Sequence, residues 1–194
     1  LSFHAVKVVS SGEGGAFLCN NPELFDRANI IADQGIYREG SQNSEMPWFA
    51  PNIFLGSNCR MTEFQAAIIL NQLRRLGRNQ KHRQKIVRLY QSISIGCDFL
   101  IEPDQAEKTS AYHLCRLSFN SIDCLDSKTK IWNFFEKRGI RLNVHYMPLY
   151  YHPSVRAIWA NPPLSGAEKY WLNSFSLPCH LGLSRADKKS VVTA

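Results

Sequence analysis

The sequence predicts an α/β fold, and three observations carry that expectation. From Ala16 to Gly35 a short apolar run passes into a helical pattern and then a turn. From Tyr112 to Tyr146 a helical pattern lies between two strand-like runs, which suggests a compact α+β layer. The chain has 194 residues, of which 44% are hydrophobic and 11% aromatic. That is enough to bury a core as one domain or as two small ones.

The first fifteen residues organise the rest. Phe3 and Val6 are apolar anchors around Lys7, and Val8-Val9 is strand-like. Ser11-Gly12 and Gly14-Gly15 let the backbone turn sharply. Ala16-Phe17-Leu18-Cys19 reads as a short buried strand leaving that turn. Asn21 suits a helix cap and Pro22 the first helical position, with Leu24, Phe25, Ala28 and Ile31 at helical spacing. Gly35 ends the run. Residues 36–56, beginning Ile36-Tyr37-Arg38-Glu39-Gly40-Ser41, form a long irregular stretch of the kind that is functional or disordered. Trp48, Phe49, Ile53, Phe54 and Leu55 argue against disorder in its second half.

Thr62-Glu63-Phe64-Gln65 is a capping box, followed by an apolar stripe of Phe64, Ile68, Leu73 and Leu76, and Gly77 permits a break. Much of the net charge of +7 lies between Arg74 and Arg88. A basic helix can contact phosphates, but base-stacking aromatics are absent here until Tyr90. A solvated helix face is therefore expected, with His82 on it, and no nucleic-acid partner. Tyr112 to Phe119 reads as a strand, Ser127 to Arg138 as a helix stopped by Gly139, and Ile140 to Tyr146 as a returning strand. Pro148, Pro153, Pro162 and Pro163 mark a loop region. A last apolar helix, Ala167 to Ser174, leads into Phe175-Ser176-Leu177-Pro178.

Lys7 is the residue with chemistry to offer. A lysine held between apolar segments has its ammonium form disfavoured, which frees the amine to form a Schiff base with an aldehyde or ketone. Nearby hydroxyl and backbone N–H groups suit a phosphate. A solvated loop lysine is the plain alternative.

The run Ser2-Phe3-His4-Ala5-Val6-Lys7, with Gly12-Glu13-Gly14-Gly15 after it, resembles the cofactor-lysine segment of the pyridoxal-phosphate-dependent nucleotide-sugar aminotransferases. The resemblance continues through Leu55-Gly56-Ser57-Asn58-Cys59-Arg60-Met61-Thr62-Glu63-Phe64-Gln65-Ala66-Ala67. It resumes at Val144-His145-Tyr146-Met147-Pro148-Leu149 and at Leu177-Pro178-Cys179-His180. It implies the aspartate-aminotransferase type of fold. Residues 1–78 would be the later part of the cofactor-binding large domain, and 79–194 a small C-terminal α+β domain. The chain begins inside the lysine segment, so it is expected to be the later part of a longer enzyme, inactive alone.

The resemblance further implies that pyridoxal 5'-phosphate is held by Ser2 and Lys7, with Asn58 reaching the cofactor phosphate of the partner subunit in a homodimer with shared sites. Lys7 would be the catalytic residue, both anchor and acid/base. Arg60 would meet the substrate's diphosphate. His145 and Tyr146 would contact substrate, although from the residues alone they read equally as core. The substrate would be a nucleotide-linked keto sugar, most resembling a UDP-linked 4-keto-6-deoxy-N-acetyl sugar, and the amino donor glutamate. The product would be an amino sugar for surface polysaccharide or glycoconjugates. Ser57 and Cys59 depart from the aromatic residues commoner at these positions, as Tyr150 does from a histidine. Related dehydratases carry His in place of the lysine, so Lys7 counts against that rival. Two further rivals are an enzyme acting on a cyclic non-sugar ketone and a non-catalytic fragment with a basic binding helix.

The six cysteines are scattered without C-x-x-C spacing. That argues against zinc and against a disulfide framework, and suits a cytoplasmic enzyme. No histidine or carboxylate pair is spaced like metal ligands, and no stretch approaches the ~20 apolar residues of a membrane span.

Overall fold

Asn21 accepts a hydrogen bond from the Leu24 N–H at 3.1 Å and Pro22 occupies the first turn, so α1 (Pro22–Ala32) starts where its capping residues dictate. The computed structural model describes residues 1–38, 45–101, 110–120 and 122–194, which form two units, Leu1–Leu76 and Gly77–Ala194. The Glu39-Gly40-Ser41 part of the irregular stretch lies outside the described residues. Among the described residues no helix is long and apolar enough to cross a membrane.

In the first unit, α1 ends at a tight crossing. Gly35 has φ +76°, and a Cβ there would lie 1.7 Å from the Phe54 carbonyl oxygen, so only glycine fits. The crossing lays residues 52–59 along the end of α1: Ser57 N–H donates to Ile31 O at 3.0 Å and Cys59 N–H to Ala32 O at 2.9 Å. The expected capping box forms. Thr62 Oγ1 accepts from Gln65 N–H, and Gln65 Oε1 accepts from Thr62 N–H, which starts α2 (Glu63–Leu73).

Two expectations fail in this unit. Ala16–Cys19 is neither a strand nor buried, with Phe17 and Leu18 exposed, and Val8-Val9 is irregular. The apolar stripe of α2 is also not a core, because Phe64, Ile68 and Leu73 are exposed and only Ile69 is buried. Alternation and stripe mark faces able to pack, but burial requires a partner surface, and the described residues of this unit supply little of one.

The second unit has a buried apolar core. Helix α3 (Leu76–Ile93) buries Arg83, Ile86, Val87 and Tyr90, the i, i+3, i+4, i+7 face of a helix. Strands β1 (Phe99–Ile101), β2 (Cys115–Phe119) and β3 (Ser174–Leu177) form an antiparallel sheet in the order β1-β2-β3, with Cys115 opposite Leu177 and Phe99 opposite Phe119. Ile131, Trp132 and Phe135 of α4 (Leu125–Glu136) and Val191 of α7 (Arg185–Thr193) pack with Leu117 and Phe175. Between α4 and β3 lie a short 3-10 turn, Leu149–Tyr151, then α5 (Pro153–Arg156) and α6 (Ser165–Asn173).

The expected strand over Ile140–Tyr146 is reduced to a single bridge, Asn143 to Ser176, on the edge of β3 that β2 leaves free. Nor is the basic face of α3 wholly solvated. Arg83 is buried and its guanidinium donates to the carbonyls of Tyr112, at 3.3 Å, and Cys179. His82 is half-buried, with Nε2 shielded from water.

Candidate active site

The neck of the Lys7 loop is closed by backbone bonds. Phe3 N–H donates to Gly14 O at 2.9 Å and Ser11 N–H to Phe3 O at 2.9 Å, while Ser2 bridges Gly15. The loop is thus closed at its neck, with Lys7 midway round it and its N–H turned onto His4 O at 2.9 Å. Gly14 sits at φ +138°, and a Cβ there would stand 3.1 Å from Met61 Cε, so the neck lies against the start of α2. The His4 imidazole faces Glu13 at 3.6 Å.

Lys7 is exposed. The sequence expectation of a lysine pressed between apolar walls is therefore corrected: Val6 beside it is exposed too, and the loop is shaped by main-chain bonds. Among the described residues no ion pair or hydrogen bond engages the Lys7 side chain, so its amine is available.

The crossing at Gly35 brings Asn58 beside Asp33 through a backbone bridge. The Asn58 side-chain oxygen accepts from the Arg60 N–H at 3.2 Å, a local turn that fixes the amide. Asp33 pairs with Arg38 at 2.9 Å and with Arg60. The hydrogen bond from Arg38, then that from Arg60, hold the Asp33 carboxyl below the usual carboxylate range. Arg60, expected to meet a diphosphate, thus has a protein carboxylate on its guanidinium, and Arg38 is a second cation that the sequence reading did not single out. The charge run that would have flagged it is short, and the contact spans 27 residues between Asp33 and Arg60.

His145 and Tyr146 lie in the second unit, in different surroundings. His145 is 8% exposed, and its Nε2 shares a 2.7 Å hydrogen bond with Ser176 Oγ, while Ser174 Oγ donates to its carbonyl at 3.4 Å. Phe175 and Leu177 of β3 face the apolar core, and the alternate serines meet His145, as the two-residue period of a strand requires. Burial, reinforced by the charges of Arg116 and Lys128, lowers the His145 pKa from the ordinary value. Tyr146 is exposed, its ring edge-on to His145 at 5.0 Å. Of this pair the structure makes His145 a core residue and Tyr146 a surface one.

A second lysine has the features usually sought in a reactive amine. Lys128 is 5% exposed, and burial pushes its pKa down to about 8. Its ammonium is fully occupied, donating to the carbonyls of Trp171 at 2.5 Å, Leu172 at 3.2 Å and Ser174 at 3.0 Å, with the Phe175 ring centroid 4.0 Å away. It closes the end of α6. Among the described residues no group of three His, Cys, Asp or Glu is placed to hold a metal ion.

A family model, the DegT/DnrJ/EryC1/StrS aminotransferase family, matches residues 1–194. The UDP-4-amino-4,6-dideoxy-N-acetyl-beta-L-altrosamine transaminase of Campylobacter jejuni is 28% identical over 192 residues, covering 98% of this chain and 49% of that protein. The GDP-perosamine synthase of Caulobacter vibrioides is 27% identical over 199 residues, covering 100% of this chain and 50% of that one. Among solved structures, Helicobacter pylori PseC, an aminotransferase involved in the biosynthesis of pseudoaminic acid, matches with a TM-score of 0.85 at 26% identity. That match covers 98% of this chain and 50% of PseC. The chain thus spans about half the length of the curated relatives it matches. Its mixed α/β structure is that part of a fold-type-I aminotransferase, and the family's aminotransferases depend on pyridoxal phosphate. With the match running from the first residue to the last, this chain belongs to the DegT/DnrJ/EryC1/StrS aminotransferase family.

Proposed function

We propose that this chain supplies the lysine-bearing part of a pyridoxal-phosphate-dependent aminotransferase that aminates a nucleotide-linked keto sugar, with glutamate as donor. The observation that carries the reading is Lys7: an exposed amine midway round a backbone-closed loop, in a chain that matches this family over its whole length. The donor set fits the cofactor in kind, since a free primary amine answers its aldehyde, and the Ser2 hydroxyl and Asn58 amide suit phosphate oxygens. When bound, the cofactor supplies an electron sink that stabilises negative charge developing on the substrate carbon.

The chain's own residues then have distinct tasks. Lys7 Nζ anchors the cofactor between turnovers. When its amine is free, Lys7 Nζ would take a proton from one substrate-side carbon and return it to another. Ser2 orients the phosphate within its own subunit, and Asn58 serves the neighbouring subunit of a homodimer. Arg60, steadied by Asp33, presents its remaining N–H groups to the sugar nucleotide's diphosphate. In the second unit the exposed Tyr146 contacts substrate and His145 anchors that segment from beneath.

The finer reading is amination at C4 of a UDP-linked 4-keto-6-deoxy-N-acetyl sugar, in a route to bacterial surface sugars. The likeness to the Campylobacter transaminase supports it, while the likeness to GDP-perosamine synthase keeps a second nucleotide in view. The test is to incubate the full-length protein carrying this sequence with glutamate and UDP-, dTDP- and GDP-linked keto sugars. Amination of the UDP-linked 4-keto N-acetyl sugar alone is the expected result. Turnover of a 3-keto or dTDP- or GDP-linked sugar would discard the subtype, and turnover of none would return the non-sugar ketone.

A further inference from the structure

Helix α2 presents two glutamine side chains, Gln65 and Gln72, to the Lys7 loop. They are seven residues apart, two turns along one helix face, or about 10 Å along the axis. Gln72 meets both backbone groups of one loop residue. Its Oε1 accepts from Ser10 N–H at 3.1 Å and its Nε2 donates to Ser10 O at 2.5 Å. Gln65 Nε2 donates to Glu13 O at 3.0 Å while its Oε1 is held by the capping box at Thr62. Ser10 and Glu13 lie on the limb that returns from Lys7. That limb is tied to the outgoing one by the bonds joining Phe3 to Ser11 and Gly14.

All these tethers end on the loop's main chain, so they fix its path whatever its side chains are. An exposed loop of this length would otherwise sample many backbone states, and ordering it costs conformational entropy. Two primary amides, one locked by a helix cap and the other paired at both ends, replace the strand ladder that this segment lacks.

We propose that Gln65 and Gln72 are positioning residues for Lys7: α2 acts as a ruler that holds the loop, and through it the amine, in one place. The proposal rests on Lys7 being the cofactor lysine. Gln72 is the discriminating member, because its side chain takes no part in capping α2, whose C-cap uses only the Gln72 carbonyl. A small displacement of a reacting group can cost about 100-fold in rate. Loosening the clamp therefore lowers kcat while leaving KM for the sugar nearly unchanged.

The experiment compares wild type, Gln72→Leu and Gln72→Glu in the full-length protein. An ionised glutamate offers only acceptors and opposes Ser10 O, whereas a protonated one restores one donor and one acceptor. Amide hydrogen exchange in the peptide covering residues 2–15, taken relative to wild type at each pH, is expected to rise tenfold or more in Gln72→Leu. In Gln72→Glu it should rise at pH 8 and return toward wild type at pH 4, below the ordinary glutamate value of about 4.3. The loaded enzyme should lose 10- to 100-fold in kcat in Gln72→Leu, with KM within twofold.

Unchanged exchange in Gln72→Leu, or a Gln72→Glu loop indifferent to pH, would overturn the clamp. Raised exchange with wild-type kcat would leave Gln72 a structural tether and overturn its positioning role. If Gln72→Leu does not fold, the two pH values of Gln72→Glu decide the matter. Borohydride labelling of wild type, read separately, shows whether a failure belongs to the clamp or to the assignment of Lys7.

Discussion

Replacing Lys128 by methionine should weaken the second unit without altering the chemistry of Lys7. The Lys128 ammonium donates to three carbonyls at 2.5, 3.2 and 3.0 Å and lies over the Phe175 ring. Methionine keeps the apolar stem and removes every donor. Each carbonyl left unpaired away from water costs about 1–3 kcal/mol. Trp171 and Leu172 are only half-buried, so water recovers part of that, and the net loss is about 2–4 kcal/mol. For a domain of roughly 100 residues this lowers Tm by roughly 10–20 °C.

The pH dependence has a definite sign. The native state gives up the Lys128 proton near pH 8, and the unfolded chain keeps it to about 10.5. Between those values the unfolded state binds more protons, so wild-type stability gains a rising contribution with pH, which Lys128→Met lacks. Urea unfolding followed by tryptophan fluorescence at pH 7 and pH 9.5 reads both effects. A methionine variant within 0.5 kcal/mol of wild type at pH 7, or one with the same pH slope, would refute the reasoning.

The buried imidazole gives a handle of the same sign at the acid end. The native His145 pKa lies below the ordinary value, so the unfolded chain takes up its proton first, and stability falls as pH drops through the window below about 6.5. His145→Asn should flatten that slope between pH 7.5 and 5.5 in urea melts; equal slopes would contradict it. Arg60→Ala should raise KM for the sugar nucleotide about tenfold while kcat stays within threefold, and a loss confined to kcat would remove Arg60 from substrate binding. Mixing full-length Lys7→Ala and Asn58→Ala subunits should restore part of the activity, because some mixed dimers then hold one intact site. Mixed dimers that form and regain nothing would defeat the shared site.

What the sequence made legible was mostly local. Asn21 with Pro22, and Thr62 with Gln65, named two helix starts because capping is decided within four residues. The capping box of Ser184 and Asp187 at α7 is equally local. Arg83 was hidden in a basic run, yet Arg83, Ile86, Val87 and Tyr90 share one helix face, and that spacing places the arginine inward. The strand expected at Ile140–Tyr146 meets the free edge of β3 at Asn143 alone, a pairing set by residues far along the chain and not by the segment's own apolar pattern. Lys7 was legible through its resemblance, whereas its environment was not: apolar neighbours in sequence did not become walls in space. Gln72 carried no signal at all, since its contact with Ser10 spans 62 residues.

The central claim is that Lys7 is the lysine that holds the cofactor. The full-length protein is loaded with pyridoxal phosphate, reduced with borohydride, digested and mapped by mass spectrometry. The account predicts the pyridoxyl group on the peptide containing Lys7, in wild type and in Lys128→Met alike. A label on Lys128 or any other lysine, or no label in a protein that binds the cofactor, would contradict it.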